Sequence, residues 1–292
     1  TASLLIPALG MGFALRDPST SYPTLLVLAL LCGFGGGNFS SSMSNISFFF
    51  PKSRKGFATG MNAGIGNLGV SVVQFVVPMV ISLAVFGAVG GDGHQFTTPD
   101  GAQKTIWLQN AGFVWVPFII LSTLLAWFGM NDIADAKASF ADQAVIFKRR
   151  HNWLMCWLYL GTFGSFIGFS AGLALLTQSQ FPNVNPTKYA FLGPLVGAMV
   201  RPIGGWISDK TGGAVVTLWT FVGMILAVFG VLYFLPSGAN AGSFEGFLVM
   251  FIVLFALTGI GNGSTFRMIP VIFLHERQCA ANKDEASQRQ AA

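Results

Sequence analysis

The stretch VVTLWTFVGMILAVFGVLYFL occupies residues 215–235 and contains no charged side chain. A continuous apolar run of about 20 residues is typical of a helix that crosses the ~30 Å hydrocarbon core of a bilayer. Its apolar residues do not alternate with polar ones, as they would along a strand of a membrane barrel. The stretch therefore predicts a transmembrane helix.

Six further stretches have the same apolar character, and an eighth stretch at the start of the chain is shorter. The complete spans are expected at 23–50, 57–86, 106–130, 152–176, 189–207 and 247–273, and the incomplete one at 2–15. The sequence thus predicts an all-α polytopic membrane protein with seven complete spans. The chain begins within a span, which indicates a truncated N-terminus, and 282–292 is expected to be a polar cytoplasmic loop.

The composition excludes soluble enzymes, disordered tails and disulfide scaffolds. Only 9% of the residues are charged and 53% are hydrophobic, whereas soluble proteins contain roughly 25% charged residues. The three cysteines form no CxxC pattern, and no two of the three histidines are placed as metal ligands, so we expect neither a metal site nor a cofactor.

The distribution of basic residues predicts the orientation of the chain. Most of the 16 lysines and arginines lie in one set of alternate loops, whereas the opposite set contains only Arg16, Lys104 and Lys188. Because basic residues concentrate in short cytoplasmic loops, the first set is expected to face the cytoplasm. The longest polar loop, 131–151, is then a cytoplasmic linker between part of an N-terminal helical bundle, 1–130, and part of a C-terminal bundle, 152–292.

Two arginines, Arg201 and Arg267, lie inside predicted spans, whereas all 11 carboxylates lie in predicted loops or at span edges. An arginine inside a bilayer costs at least ~2.5 kcal/mol and normally faces a partner or a pathway. For Arg201 the alternatives are a bound anion, backbone carbonyls, a segment outside this chain, or a side chain that extends to the cytoplasmic surface. We favour the anion, since a guanidinium donates paired hydrogen bonds to a planar oxyanion. Arg267 is equally compatible with a site role and with a structural one.

Glycine clusters followed by asparagine occur in both halves of the chain, at 33–47 and 259–268, and a third Gly-Asn run occupies 64–67. Small residues favour close packing of membrane helices, which is our preferred interpretation of Gly33, Gly35, Gly36, Gly37, Gly64, Gly66, Gly259, Gly261 and Gly263. Packing does not require the neighbouring Asn38, Asn45 and Asn262. Asn67 could donate its amide to an anion or bridge two helices.

Four aromatic residues are candidates for contact with a flat ligand. In a chain with 29 phenylalanines, composition alone favours a lipid-facing or core position for Phe39, Phe163 and Phe266. Tyr159 is more informative, because a phenol in the middle of a span needs a hydrogen-bond partner.

Several motifs resemble those of a known family. The run GWISDKTGG at 205–213, with Gly205, Asp209, Lys210 and Gly212, is similar to the GxxxD(R/K)xG conformational loop of the major facilitator superfamily. The run at 38–51 resembles the first nitrate signature of the nitrate/nitrite porters of NarK/NarU type, and 261–266 resembles the second. The similarity extends over essentially the whole chain, including 161–172.

The resemblance implies a major facilitator helical bundle, truncated to about eight of twelve transmembrane helices, with a second binding arginine in the absent N-terminal part. It implies exchange of nitrate and nitrite across the bacterial cytoplasmic membrane by alternating access. The implied partners are these small anions and the lipid bilayer, with no nucleic acid and no oligomer. The alternatives are a carrier of another small anion, nitrate/proton symport, a membrane-embedded enzyme, and a structural or sensory module.

The resemblance also implies roles for individual residues. Phe39 and Phe266 would sandwich the planar anion, and Arg201 would be one of two binding arginines. Asn67, Tyr159 and Phe163 would line the site, and the glycine runs would let the helices rock between inward-open and outward-open states.

Overall fold

The computed structural model describes residues 1–51, 54–97, 103–130, 144–238 and 241–291, and most of them are helical. The helices are α1 (Leu5–Ala14), α2 (Tyr22–Leu31), α3 (Phe34–Phe49), α4 (Lys55–Val80), α5 (Gly87–Gly90), α6 (Asn110–Phe113), α7 (Val116–Gly129), α8 (Arg150–Tyr159), α9 (Ser165–Gln180), α10 (Leu192–Thr211), α11 (Gly213–Phe234) and α12 (Phe244–Ala291). Short 3-10 turns occur at Ala2–Leu4, Val145–Lys148 and Pro186–Lys188, and a π-helical turn at Leu160–Gly164 joins α8 to α9.

Seven helical segments are long and apolar enough to cross a membrane. They are Tyr22–Met43, Phe57–Val80, Asn110–Gly129, Arg150–Gln180, Pro186–Thr211, Gly213–Phe234 and Phe244–Glu276, and Ala2–Ala14 is a shorter apolar helix. The predicted set of seven complete spans and one incomplete span is confirmed.

The loop expected on the outer side differs from the all-helical expectation. Strand β1 (His94–Thr97) pairs antiparallel with β2 (Gln103–Ile106), so that His94 lies opposite Ile106. The predicted span at 106–130 accordingly begins at Asn110 rather than at Ile106. The β-branched residues Thr105 and Ile106 are good strand formers. The apolar pattern alone does not distinguish the end of such a strand from the start of a helix.

Two predicted spans are also interrupted or shortened. The span expected at 23–50 breaks between α2 and α3, where Gly33 donates its backbone N–H to Leu30 in a tight turn. Glycine lowers helix stability, and four of the five residues at 33–37 are glycines. The span expected at 57–86 already ends at Val80.

Two segments that were expected to be loops are mostly helical: the one between α10 and α11, and the polar end of the chain. α10 continues through Asp209 and Lys210 to Thr211, so these two residues lie on its last turn rather than in a conformational loop. Only Gly212, with φ of 91°, separates α10 from α11, a conformation that glycine adopts without a steric penalty. The polar end expected as a loop instead continues α12 to Ala291, since alanine, glutamine, lysine and glutamate are good helix formers.

The contacts divide the chain into two units. The first unit comprises Thr1–Ser42 and Val72–Lys137, and the second comprises Met43–Ser71 and Ala138–Ala292. In the first unit α1 packs on α6, and the side-chain amide of the fully buried Asn110 donates to the carbonyls of Val80 and Leu83 at 3.1 and 2.7 Å. Residues 131–143 of the predicted linker lie outside the described ranges, and the division into two bundles stays a prediction.

The core of the second unit is aromatic and lies between α9, α11 and α12. Its buried members are Phe166, Leu173, Met224, Ala227, Val231, Phe247, Phe251, Leu254 and Phe255. α12 packs along α10 and α11. This arrangement encloses the middle of α10, where Arg201 lies.

Candidate anion-binding site

Arg201 lies inside the second unit and is completely buried, with an exposed fraction of 0%. Its Nη1 donates to the backbone carbonyl of Ala63 on α4 at 3.3 Å. No carboxylate among the described residues pairs with it. The side chain therefore does not extend to a surface, and it has a backbone carbonyl as its partner on one side only.

The other edge of the guanidinium has no protein partner. Nε and Nη2 are buried and make no hydrogen bond within the described part of the chain. The N–H bonds of these two atoms point the same way and form the edge that binds paired oxygens side-on. A buried donor without a partner costs about 1–3 kcal/mol. The arrangement thus suits a ligand with two neighbouring acceptor oxygens.

Aromatic rings cover the guanidinium. Its central carbon lies 4.5 Å from the ring centroid of Phe166 and 5.4 Å from that of Phe163. Tyr159 stacks on Phe163 with centroids 5.1 Å apart, and Phe266 meets Tyr159 edge-on at 5.2 Å. The structure therefore brings three of the predicted site residues, Tyr159, Phe163 and Phe266, together near the predicted cation Arg201. A ring face attracts a cation, and the apolar surroundings strengthen electrostatic interactions with it.

Phe166 is a site residue that the sequence interpretation missed. It is fully buried and is nearly parallel to Phe163, with an angle of 13° between the ring planes and 6.1 Å between centroids. The available signal was its position one turn after Phe163 in the span that also contains Tyr159. We call the rings of Tyr159, Phe163 and Phe166 the aromatic ladder.

The aromatic ladder depends on a π-helical turn that was not predicted. The turn, Leu160–Gly164, includes Phe163 and interrupts an otherwise α-helical span. Such turns widen a helix by one residue and occur frequently at functional sites. A side chain at Gly161 would come within 2.8 Å of the ring of Phe221, so this position needs a glycine for packing.

The predicted asparagines have different environments. Nδ2 of Asn67 donates to the carbonyl of Ala63 at 2.7 Å, so in this structure its amide binds its own helix. Asn262 is fully buried, and neither Nδ2 nor Oδ1 has a partner among the described residues. Asn45 is half-buried on α3, and the side chain of Asn38 lies outside the part that the structure describes.

Four of the nine predicted glycines lie at close contacts between helices, three of them against α10. A Cβ at Gly263 would overlap the carbonyl oxygen of Arg201, and one at Gly259 would overlap that of Gly197. A Cβ at Gly64 would come within 2.7 Å of the carbonyl oxygen of Ala198, and one at Gly261 within 2.7 Å of Thr162. Backbone of α10 is thus held between α4 and α12 at the level of Arg201.

The other five glycines do not make such contacts with the described residues. Open space surrounds the Cβ position at Gly36, Gly37 and Gly66, and the nearest atom at Gly35 is 3.8 Å away on Leu4. Gly33 meets only the carbonyl of Leu30, at 3.0 Å, in its own turn. A gating role for the glycine runs stays a prediction.

Arg267 forms an ion pair with Asp209. Its Nε donates to Oδ1 of Asp209, and both side chains are mostly buried, with exposed fractions of 23% and 16%. The next residue, Lys210, lies 4.0 Å above the ring of Trp206. Of the two roles open for Arg267, the structure supports the structural one, because Arg267 joins α12 to the last turn of α10.

Phe39 lies on α3 in the first unit and is half-buried. Its pairing with Phe266 around an anion stays a prediction. No group of three or more histidines, cysteines or carboxylates that could hold a metal occurs in the residues searched, which are the described ones.

Comparisons with known proteins agree with the motifs. A family model for the major facilitator superfamily matches residues 1–279. The chain is 51% identical to the nitrate/nitrite transporter NarU of Salmonella typhimurium and 48% identical to NarU of Escherichia coli, over 100% of this chain and 63% of each relative. It is 47% identical to the probable nitrate/nitrite antiporter NarK2 of Thermus thermophilus, over 94% of this chain and 62% of that protein.

The chain thus spans a little under two thirds of the length of these relatives. The expected resemblance to the nitrate/nitrite porters of NarK/NarU type is confirmed. With its apolar spans and a family match over nearly its whole length, the chain belongs to the major facilitator superfamily.

Proposed function

We propose that this protein carries nitrate and nitrite across the bacterial cytoplasmic membrane by alternating access. The observation that supports the proposal is the free Nε/Nη2 edge of Arg201, fully buried and covered by the rings of Phe163 and Phe166. The names of the relatives, nitrate/nitrite transporter and antiporter, agree with it.

The chemistry of the site suits a small planar anion. Two oxygens of nitrate or nitrite accept the parallel hydrogen bonds from Nε and Nη2, and the charge of the anion neutralises the buried guanidinium. The flat faces of the aromatic ladder exclude water beside the ligand. The hydroxyl of Tyr159 would donate a further hydrogen bond to the anion, and Asn67 lies beside the guanidinium, since both donate to the carbonyl of Ala63. By the family resemblance, Phe39 and Phe266 enclose the anion.

The cost of a buried cation without a counter-charge favours exchange. A carrier that changes between its inward-open and outward-open states only with an anion bound cannot return empty, so it must exchange one anion for another. An empty site leaves a buried cation without a counter-charge, and moving such a site between two states is costly. A bound anion removes that cost, so the loaded carrier crosses and the empty one does not. No carboxylate faces Arg201 among the described residues to carry a proton, which favours exchange of nitrate for nitrite over proton symport.

The rest of the proposal follows the family resemblance. The segments 1–130 and 152–292 belong to two helical bundles, with 131–151 as the cytoplasmic linker. The protein acts as a monomeric carrier rather than an enzyme and needs no cofactor. A different small anion is the second candidate, because a carboxylate also presents two oxygens to an arginine fork.

The test is an exchange assay with the full-length protein in lipid vesicles. Vesicles loaded with nitrite should take up external nitrate, and vesicles without internal anion should not. A protonophore should leave the uptake unchanged. Uptake into anion-free vesicles driven by a pH gradient would contradict exchange. Stronger inhibition by formate or phosphate than by unlabelled nitrate would point to another substrate.

A further inference from the structure

Asn262 has a buried side-chain amide with no hydrogen-bond partner among the described residues and no role in the proposed function. Its exposed fraction is 0%, and both Nδ2 and Oδ1 lack a hydrogen-bond partner among the described residues. A buried amide without partners is destabilising, whereas a leucine of similar size would pack there without that cost. The position therefore has a polar residue that the packing of α12 does not require.

The contacts of α12 show which way Asn262 faces. Residues four and seven positions apart lie on the same face of a helix. Phe266, four residues later, meets Tyr159 at one end of the aromatic ladder, with 5.2 Å between centroids. Phe255, seven residues earlier, meets Phe166 at the other end, at 5.7 Å. Asn262 lies between these two contacts and hence faces the middle of the ladder.

The guanidinium of Arg201 occupies the same level. It lies over Phe163 and Phe166, in the middle and at one end of the ladder. Gly263, the neighbour of Asn262, packs directly on the backbone of Arg201. Two sets of unpaired, fully buried polar atoms thus lie beside the same aromatic ladder: Nε and Nη2 of Arg201, and the amide of Asn262.

We infer that Asn262 is a specificity-determining ligand for the third oxygen of nitrate. Arg201 holds two oxygens of the anion on its Nε/Nη2 edge, and Nδ2 of Asn262 donates to the remaining one. Nitrite has only two oxygens and lacks this contact. The inference rests on the proposed function and adds to it the origin of a preference for nitrate over nitrite.

The test compares nitrate and nitrite binding by the full-length protein in lipid nanodiscs, measured by titration calorimetry with the sodium salts. Asn262→Leu removes the amide and keeps the volume. A hydrogen bond to a charged group contributes enough that its loss should weaken nitrate binding about ten-fold or more. Nitrite binding should change less than about three-fold. The thermal stability should stay the same or rise, since an unpaired buried amide is removed.

Thr258→Val is the matched control on the same helix. Thr258 is also fully buried, but its hydroxyl is satisfied by the carbonyl of Phe255 in its own helix. This variant should keep the wild-type ratio of nitrate to nitrite affinity. If Asn262→Leu does not fold, Asn262→Ala provides the same comparison with a smaller side chain.

The outcomes separate this inference from the function on which it rests. A selective loss of nitrate affinity supports the inference. An unchanged ratio, or an equal loss for both anions, overturns it and leaves the proposed function in place. If the wild-type protein binds neither anion, both proposals are overturned.

Discussion

Arg201 and Asn67 share one acceptor, the backbone carbonyl of Ala63. Nη1 of Arg201 donates to it at 3.3 Å and Nδ2 of Asn67 at 2.7 Å. One edge of the guanidinium is thereby held against α4, which leaves the Nε/Nη2 edge free for a ligand. A side chain at position 67 thus lies within reach of the guanidinium of Arg201.

Asn67→Asp should weaken anion binding without unfolding the protein. A carboxylate at this position reaches the guanidinium of Arg201 and forms an internal ion pair, which replaces the anion as counter-charge. We expect nitrate affinity to fall by at least about ten-fold, measured by calorimetry on the full-length protein. The thermal unfolding temperature should stay close to that of the wild type.

Asn67→Leu is the matched control for this effect. It removes the amide without adding a charge, so it should weaken nitrate binding less than Asn67→Asp does. Equal nitrate affinities in the two variants would show that a charge at this position does not reach Arg201.

Arg201→Lys should lose most nitrate transport while the protein still folds. Lysine keeps the positive charge but lacks the planar pair of donors that binds two oxygens at once. We expect at least a ten-fold loss of nitrate/nitrite exchange in vesicles, or about 1.4 kcal/mol, with normal size-exclusion behaviour. Wild-type flux in this variant would rule out Arg201 as the binding residue.

The sequence alone identifies a site residue when its residue type is unusual for its position, such as a charged side chain in an apolar span. Arg201 is identifiable because an arginine in an apolar span is costly, and that cost does not depend on knowing the fold. Phe166 is not identifiable in the same way, since it is one of 29 phenylalanines and only the three-dimensional packing places it under the guanidinium.

Backbone irregularities could not be predicted for a related reason. The π-helical turn at Leu160–Gly164 changes the local hydrogen bonding without changing the apolar composition on which spans are recognised. The strands His94–Thr97 and Gln103–Ile106 depend on pairing between two short segments rather than on either one alone. The ion pair of Arg267 with Asp209 joins residues on different helices and required the structure as well.

Gly263→Ala should destabilise the protein, because the new methyl group overlaps the carbonyl oxygen of Arg201 where α12 crosses α10. Overpacking of this kind typically costs about 1–3 kcal/mol. The measurement is thermal unfolding in detergent. Gly168→Ala is the control, since α9 has open space at that position, and alanine there should leave the stability unchanged or raise it by up to about 1 kcal/mol. Equal effects of the two substitutions would show that α10 and α12 are not in close contact at Gly263.

The ion pair between Arg267 and Asp209 should stabilise the contact between α12 and the end of α10. Asp209→Asn or Arg267→Gln alone leaves one partly buried charge without a partner, and each should lower the thermal unfolding temperature. The double variant removes both charges, so its loss of stability should be smaller than the sum of the two single losses. A double-mutant cycle should give a coupling of about 0.5–3 kcal/mol. Strict additivity would show that the two side chains do not interact and would reopen a direct role for Arg267 in the anion site.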